Sequence, residues 1–290
     1  MKQIAIAVFT FLAIFLNPSL SVACTSFAVY SNNTVYGMNF DYKPNLLQIF
    51  TISSELQGKV FHLRPFGFGE VAGMNMQGLF ASCQGLIPEE KSPATRIKNQ
   101  ISTWIFHKMA LSRFEQVPQA KDLLNNKQMV QAMGSSLHNL VADRFGDAMV
   151  VETGEIGNQI TEIQDRYMVM TNFPIYQLKG KSYEDAEGIG SERYKIAHRY
   201  IRSNLKAFDT EKGMEVLKQA QSMSEIYPTR SSMVFDPSKK EIFICLEGNF
   251  DKIWKVSLVN QSIETWRGFA SFRREPIPAE GVSGADLAQW

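Results

Sequence analysis

The first 23 residues limit what the rest of the chain can fold into. A positive residue, Lys2, precedes a run at residues 4–16 that is apolar except for one threonine, and Ser-Val-Ala stands immediately before Cys24. This is the pattern of a secretory signal peptide, and its apolar run is too short to span a bilayer. We therefore expect signal peptidase to remove residues 1–23 and to leave a secreted or periplasmic protein with no stable membrane anchor.

A lipid anchor on Cys24 is the alternative interpretation of this segment. Lipoprotein signals favour leucine-like bulk three residues before the cysteine, where this chain has Ser21, and Leu20 stands one position earlier. The residues after Cys24 also run directly into a β-like segment, with no flexible tether that would link the domain to a membrane. Cleavage without lipidation is therefore the favoured interpretation, and it leaves residues 24–290 as a single domain.

The composition excludes several function classes. The chain has 30 Lys and Arg against 29 Asp and Glu, so it has no electrostatic signature of nucleic-acid binding. Its three cysteines cannot build a disulfide framework, and Cys83 and Cys245 lie in apolar runs that are typical of buried core. No His, Cys and carboxylate residues stand at zinc spacing and no glycine loop fits a phosphate, so we expect neither a metal nor an organic cofactor.

Segments rich in β-branched and aromatic residues alternate with segments of helical periodicity. We predict strands at residues 25–31, 34–42, 46–56, 59–66, 147–154, 158–164, 166–173 and 252–258, two short strands around a turn at 75–78, and a hairpin at 231–248. We predict helices at residues 97–112, 125–140, 191–205 and 211–223. This order favours an α+β fold with helices packed outside two sheets. Residues 270–290 are rich in Pro, Gly and Ala, and we expect a loose tail there.

Cleavage before Cys24 would give that residue two reactive groups, a thiol and a free α-amine. An α-amine has an unperturbed pKa of about 7.7–8.0, close to the pH at which a general base is most useful. One residue could then supply both nucleophile and base, without a histidine. None of the four histidines lies in a convincing catalytic motif, although a Cys/His dyad stays open as an alternative.

Asp41 is the second candidate site residue. It lies at the end of the second strand of the predicted first hairpin, and the strands of a hairpin are about 4.7–4.9 Å apart. Its carboxylate could therefore face Cys24, orient the thiol and amine, and hold the ammonium form. The alternative is an aspartate that merely ends a strand before Tyr42, Lys43 and Pro44.

Motifs along nearly the whole mature chain resemble, in order, those of one enzyme group. CTSFAVY followed by YGMNFDY resembles the mature N-terminus of the N-terminal-nucleophile amide hydrolases of the choloylglycine hydrolase, penicillin V acylase and isopenicillin-N acyltransferase group, which continues Gly-Arg-Asn-x-Asp. The segments GMNMQGLFAS, DRFGDAMVVETG, YMVMTNFP, GSERY and PTRSSMVFDPSKKEIFI resemble later motifs of that group. The resemblance implies an αββα sandwich, in which two antiparallel sheets lie between helical layers.

The resemblance also implies roles for individual residues. Cys24 would be the nucleophile and its α-amine the base, while Asp41 would orient the terminus. Asn172 would donate its side-chain amide to the oxyanion, together with a backbone N–H near Gln84 or Gly85. Arg193, in the GSERY motif, would lie beside the site.

One position departs from the group's pattern. Met38 stands where the group commonly has an arginine that is thought to hold substrate and favour the thiolate. Methionine carries no charge and donates no hydrogen bond. Met38 is therefore a candidate substrate-binding residue. With methionine at this position we expect slower turnover, or a substrate without the polar group that an arginine binds. The alternative is that the protein is an inactive homologue.

These observations predict a secreted cysteine-nucleophile amidase. It would hydrolyse the linear carbon–nitrogen bond of an N-acyl small molecule through a thioester, by the two-step route of covalent catalysis. An N-acyltransferase would pass the same acyl group to an amine. A lipid-anchored or inactive binding protein is the alternative outside enzymes.

Overall fold

The computed structural model describes residues 24–67, 69–88, 99–131, 136–154 and 157–290. The predicted signal peptide, residues 1–23, lies outside the described residues. Among the described residues, no helix is both long enough and apolar enough to cross a membrane.

Two eight-stranded antiparallel sheets form the centre of the fold. The first sheet contains β1 (Thr25–Tyr30), β2 (Thr34–Asp41), β12 (Tyr167–Met170), β13 (Thr229–Asp236), β14 (Glu241–Leu246), β15 (Ile253–Ser257), β16 (Ser262–Arg267) and β17 (Arg274–Pro276). Its spatial order is β12-β1-β2-β13-β14-β15-β16-β17. The strand that follows Cys24 therefore lies between β2 and β12, and these two neighbours carry Asp41 at the end of β2 and Asn172 just beyond β12.

The second sheet has the order β11-β10-β9-β6-β5-β4-β3-β18. Its strands are β3 (Gln48–Glu55), β4 (Gly58–Pro65), β5 (Ala72–Asn75), β6 (Phe80–Gly85), β9 (Leu137–Ala142), β10 (Ala148–Glu152), β11 (Gln159–Glu162) and β18 (Val282–Ser283). A small parallel pair, β7 (Gln100–Ser102) and β8 (Gln128–Val130), lies apart from both sheets.

Helices cover the outer faces of the sheets. Their bounds are α1 (Thr103–Arg113), α2 (Val117–Asn125), α3 (Ser191–Asn204), α4 (Thr210–Gln219) and α5 (Gly284–Leu287), with 3₁₀ turns at Ile175–Leu178, Tyr183–Asp185 and Leu205–Ala207. Helix α4 packs on β2 and β13, whereas α1 packs on β5, β6 and β9. The four layers confirm the predicted α+β fold and its αββα sandwich.

Aromatic rings join the two sheets. Tyr36 on β2 stacks on Phe80 of β6 at a centroid distance of 5.2 Å. Phe235 on β13 contacts the same Phe80 ring at 4.9 Å and the Phe61 ring of β4 at 6.0 Å. All four rings are fully buried, so the inner faces of the sheets form one continuous apolar core.

The β1–β2 hairpin also needs a residue without a side chain. A Cβ placed on Gly37 would come within 2.3 Å of the Phe27 ring, which lies directly across the hairpin. Glycine at this position lets Phe27 lie over β2, and this close packing sets the alignment of the strand that starts at Cys24.

The predicted helix at residues 125–140 is wrong. The described part of that segment contributes β8 and the start of β9. Strand β9 lies between β6 and β10, with all six of its residues buried. A strand buried on both faces lacks the alternation of buried and exposed residues that marks a half-buried strand, so periodicity alone does not distinguish it from a buried helix. The predicted helix at 97–112 begins later, at Thr103, where the Ser102 hydroxyl accepts the N–H of Ile105.

The end of the chain is more regular than its composition predicted. Strands β17 and β18 and helix α5 all fall within residues 270–290, where we expected a loose tail. Residues Val282 and Ser283 pair with Phe50 and Ile49 of β3, so this segment extends the edge of the second sheet.

We predict that Phe80→Ala lowers the free energy of unfolding by about 3–5 kcal/mol, because it removes a ring packed against both sheets. Phe145→Ala, which truncates an exposed phenylalanine, serves as the control and is expected to change stability by less than about 0.5 kcal/mol. Urea unfolding followed by fluorescence measures both. Equal effects of the two substitutions would contradict the inter-sheet packing.

Candidate active site

Cys24 lies at the entrance to β1 and is fully buried. Its backbone nitrogen donates a hydrogen bond of 2.8 Å to Oδ1 of Asn172. Its Sγ is 4.0 Å from the backbone oxygen of Asp41, a long contact of the kind a thiol makes. The two groups with which Cys24 could do chemistry are therefore both held by neighbouring strand ends.

Asn172 connects the two sheets at this point. Besides accepting from Cys24, its side chain donates from Nδ2 to the backbone oxygen of Gly85, at 2.9 Å. Its own backbone oxygen accepts the N–H of Ile87 at 2.7 Å. These bonds fix the amide orientation, with the oxygen towards Cys24 and the nitrogen towards the end of β6.

Asp41 and Arg193 form a buried ion pair next to Cys24. Arg193 Nη1 donates to Asp41 Oδ2 at 2.9 Å and Nη2 donates to Asn172 Oδ1 at 3.0 Å. Thr229 Oγ1 donates to the second oxygen of Asp41 at 2.6 Å. Among the described residues, no hydrogen bond joins the Asp41 carboxylate directly to the Cys24 nitrogen. Arg193 and Asn172 connect the two groups through side-chain hydrogen bonds.

Gly190 leaves space for the side chain of Arg193 to reach the site. Gly190 precedes α3 with a φ of 85°, in the left-handed region, and a Cβ there would lie 2.9 Å from Nη2 of Arg193. The same Cβ would lie 3.1 Å from Thr171. A side chain at this position would therefore displace the guanidinium from Asn172.

Thr229 is a site residue that the sequence reading missed. It lies opposite Asp41 where β13 pairs with β2, beside a register shift between Thr229 and Ser231. The two partners are separated by 188 residues along the chain. No local signal marks this contact, because it depends on the pairing of two distant strands.

Gln84 and Gly85 lie at the end of β6, on the second sheet. Gln84 donates from Nε2 to the Thr171 backbone oxygen at 2.9 Å and accepts from Ser26 Oγ at 3.4 Å. Leu86 donates to the backbone of Ser136 on the neighbouring strand. Because ladder hydrogen bonds alternate along an antiparallel pair, Gln84 also bonds to that strand and the Gly85 N–H is directed away from it. Gly85 is therefore the better of the two backbone candidates for an oxyanion donor.

Met38 lies inside the fold. It faces Ser26 on one side and Met233 on the other, on β1 and β13, and it is fully buried in the main apolar core. The only cation hydrogen-bonded to the Asp41 and Asn172 side chains, among the described residues, is Arg193. Part of the role that the resemblance gives to an arginine at position 38 therefore has a structural counterpart in Arg193.

Burial controls the protonation of both site groups. Burial, and then the charge of Asp41, raises the pKa of the Cys24 thiol well above its ordinary value, against the opposing effect of Arg193. Burial also raises the pKa of Asp41 to about 7, although the Arg193 guanidinium and the Thr229 hydroxyl act in the opposite direction. The thiol is therefore protonated at neutral pH and needs a base before it can attack.

A second buried polar pair supports the turn after Asn172. His138 Nδ1 lies 3.0 Å from Glu152 Oε1, and both side chains are fully buried. The Glu152 carboxylate also accepts the backbone N–H groups of Ile175 and Tyr176, at 2.9 and 3.0 Å. His138 is thus part of the scaffold of the site, and among the described residues no histidine hydrogen-bonds to Cys24. The described residues also include no cluster of three His, Cys, Asp or Glu side chains that could hold a metal ion.

Two antiparallel sheets between helical layers, with a cysteine immediately before β1, are the architecture of the N-terminal-nucleophile hydrolase class. The family model described as acyl-coenzyme A:6-aminopenicillanic acid acyl-transferase matches residues 29–251. The chain therefore belongs to this family, within the choloylglycine hydrolase-like group that its motifs resemble. No curated protein matches the chain.

Solved structures show the same fold. Penicillin V acylase from Agrobacterium tumefaciens is 17% identical with a TM-score of 0.64, and the match covers 89% of this chain and 99% of that one. Two variants of conjugated bile acid hydrolase from Clostridium perfringens are 14% and 16% identical, with TM-scores of 0.61 and 0.59. Those matches cover 88% and 89% of this chain and 97% and 98% of the variants. At these identities the likeness establishes the architecture.

The charges around Cys24 predict opposite effects of two substitutions on its thiol pKa. Arg193→Gln removes a cation that lowers the thiol pKa, so alkylation of Cys24 by iodoacetamide should require a higher pH. Asp41→Asn removes an anion that raises the thiol pKa, so its alkylation profile should shift to lower pH. Peptide mass spectrometry across a pH series measures both profiles.

Arg199→Gln is the control for these substitutions, because Arg199 lies on α3 but is exposed and pairs with Glu184. It should leave the alkylation profile of Cys24 unchanged. Shifts of Arg193→Gln and Asp41→Asn in the same direction would contradict the electrostatic description of the site.

Proposed function

We propose that this chain is exported, cut after Ala23 and active as a cysteine-nucleophile amidase on an N-acyl small molecule. The observation that carries the proposal is the convergence on Cys24: its nitrogen is bound by Asn172, and Asn172 is held by Arg193, which also binds Asp41. Cleavage would turn the bound nitrogen into an α-amine without moving it.

The α-amine is the base in this mechanism. The thiol pKa is raised by burial, so a standing thiolate is disfavoured and proton transfer accompanies attack. The α-amine takes the thiol proton while Sγ bonds to the amide carbonyl carbon. In the resulting tetrahedral intermediate the negative charge lies on the former carbonyl oxygen.

Asn172 and Gly85 are the donors proposed for that oxygen. Asn172 Nδ2 carries two N–H groups, one of which donates to the Gly85 backbone oxygen, and the other is the proposed oxyanion donor from the first sheet. The Gly85 N–H, which is directed away from its strand partner, is the proposed donor from the second sheet. Donors that are already in place for a developing charge lower the barrier in a buried site.

The amine and then the acyl group leave in two successive steps. The C–N bond breaks as the α-ammonium returns its proton to the departing amine, and a Cys24 thioester remains. Water attacks the thioester while the α-amine takes one water proton. Collapse of this second intermediate breaks the C–S bond and releases a carboxylic acid, and the α-ammonium returns its proton to Sγ, which restores both the thiol and the amine. Covalent catalysis of this kind divides one difficult step into two easier ones.

The names of similar proteins support the substrate class. Penicillin V acylase and conjugated bile acid hydrolase act on amides of small molecules, and this chain shares their architecture. The family model carries the name of an acyltransferase, which favours acyl transfer to an amine as the second candidate function. Both reactions pass through the same thioester and differ only in the acceptor.

Maturation tests the proposal first. We expect intact mass and N-terminal sequencing of the exported protein to give a chain that begins Cys-Thr-Ser-Phe, without a lipid. In a screen of N-acyl amides, Cys24→Ala should abolish turnover, whereas the control Cys83→Ala, at a second buried cysteine, should retain it. A mature start elsewhere, or a diacylglycerol mass on Cys24, would remove the free amine and reject this mechanism.

Asn172→Ala tests the oxyanion assignment. Loss of one oxyanion donor typically costs about 10²–10³ in kcat, and we expect a reduction of that size with a smaller change in KM. Asn260→Ala, at an exposed asparagine whose side chain is far from Cys24 in the sheet order, is the control. A KM effect that exceeds the kcat effect would assign Asn172 to substrate binding instead.

A further inference from the structure

An open cleft lies beside the active site but does not include Cys24. Its volume is about 1100 Å³, and it is bounded by β11, β12, the first two 3₁₀ turns and one face of α3. The mechanism proposed above uses none of the residues that line this cleft, which we call the side cleft.

Aromatic rings form one wall of the side cleft. The Tyr183 ring stacks on His198 at a centroid distance of 4.9 Å and an interplanar angle of 5°. Tyr194 and Tyr167 contact the same imidazole at 4.3 and 5.1 Å. With Met168 and Val169 of β12, these rings provide a surface that can bury an apolar or aromatic body.

The rim of the side cleft is positively charged. Four lining cations form no ion pair with any residue that the structure describes: Arg166, Lys179, Lys181 and Arg202. Of the two lining acids, Glu162 is already paired with Lys121 at 2.6 Å, which leaves Asp165. Burial lowers the pKa of His198 to about 4, so the positive charge at neutral pH comes from the four cations.

The side cleft shares two structural elements with the catalytic centre. Tyr194, His198 and Arg202 are spaced by four residues, so they lie on one face of α3. Arg193 lies on the same helix, and its side chain reaches Asp41 in the catalytic centre. On β12, the lining residue Val169 precedes Asn172 by three positions, about 10 Å along a strand. A ligand here would therefore contact the same helix and strand without reaching the thiol.

We propose that the side cleft is a second binding site for an organic anion with an apolar or aromatic body. The rings and β12 bury the body, and Lys179, Lys181 and Arg202 neutralise the anionic group. The excess of unpaired cations over available acids selects an anion over a neutral or cationic molecule of the same shape. This site does not depend on the proposed amidase reaction.

Fluorescence titration with anilinonaphthalene sulfonate, an aromatic anion, tests the site. The Cys24→Ala chain is used throughout, so that catalysis has no part in the result. We expect saturable binding of one probe that weakens as salt is raised, since salt screens exposed charges. The double variant Lys179→Gln with Lys181→Gln should bind about three- to tenfold more weakly, the range for two partly exposed charge contacts.

Two controls make the test decisive. The double variant Lys206→Gln with Lys218→Gln removes the same charge from exposed positions outside the cleft and should bind like the parent. The uncharged analogue N-phenylnaphthylamine should bind the parent more weakly, with little dependence on salt. Equal weakening by both double variants, unchanged binding by the cleft variant, or equal affinity for the uncharged analogue would each overturn the proposal.

Discussion

The buried ion pair of Arg193 and Asp41 is the interaction on which the rest of the site depends. The Asp41 side chain has no exposure to solvent and that of Arg193 is 13% exposed, so both groups give up most of their hydration. Such a pair is favourable only when further hydrogen bonds satisfy both partners. Thr229 supplies one to Asp41, and Asn172 accepts one from Arg193. These hydrogen bonds of the ion pair thereby fix the orientation of the Asn172 amide.

The second sheet supports the residues around Cys24 through hydrogen bonds. Asn172 donates to the backbone of Gly85, and Glu152 holds the turn that follows through the N–H groups of Ile175 and Tyr176. The donor candidates of the site thus come from both sheets, and they keep their spacing only while the sheets stay packed. This gives the aromatic contacts of Tyr36, Phe80 and Phe235 a functional consequence, because they fix the distance between the layers.

Local sequence signals predicted the local parts of this molecule. The first hairpin, with Cys24 before it and Asp41 at its end, and the helix that carries Arg193 follow from β-branched runs, turn residues and helical spacing. Contacts between distant segments left no such signal: 148 residues separate Cys24 from Asn172, and 188 separate Asp41 from Thr229. The motif resemblance supplied Asn172 and Arg193. Periodicity failed at β9, where a central strand is buried on both faces and so shows no alternation of buried and exposed residues.

The burial of Cys24 explains why a terminal amine would suit the proposed mechanism. An exposed cysteine could form a thiolate with the help of a nearby cation, but here burial and the charge of Asp41 oppose ionisation more strongly than Arg193 favours it. A neutral thiol with a neutral amine as base on the same residue would avoid a buried charge until the substrate arrives. The hydrogen bond from the Cys24 nitrogen to Asn172 also bears on this mechanism. In the proposed mechanism it would hold the nitrogen in position before cleavage turned it into the base, so that export and activation would be a single event.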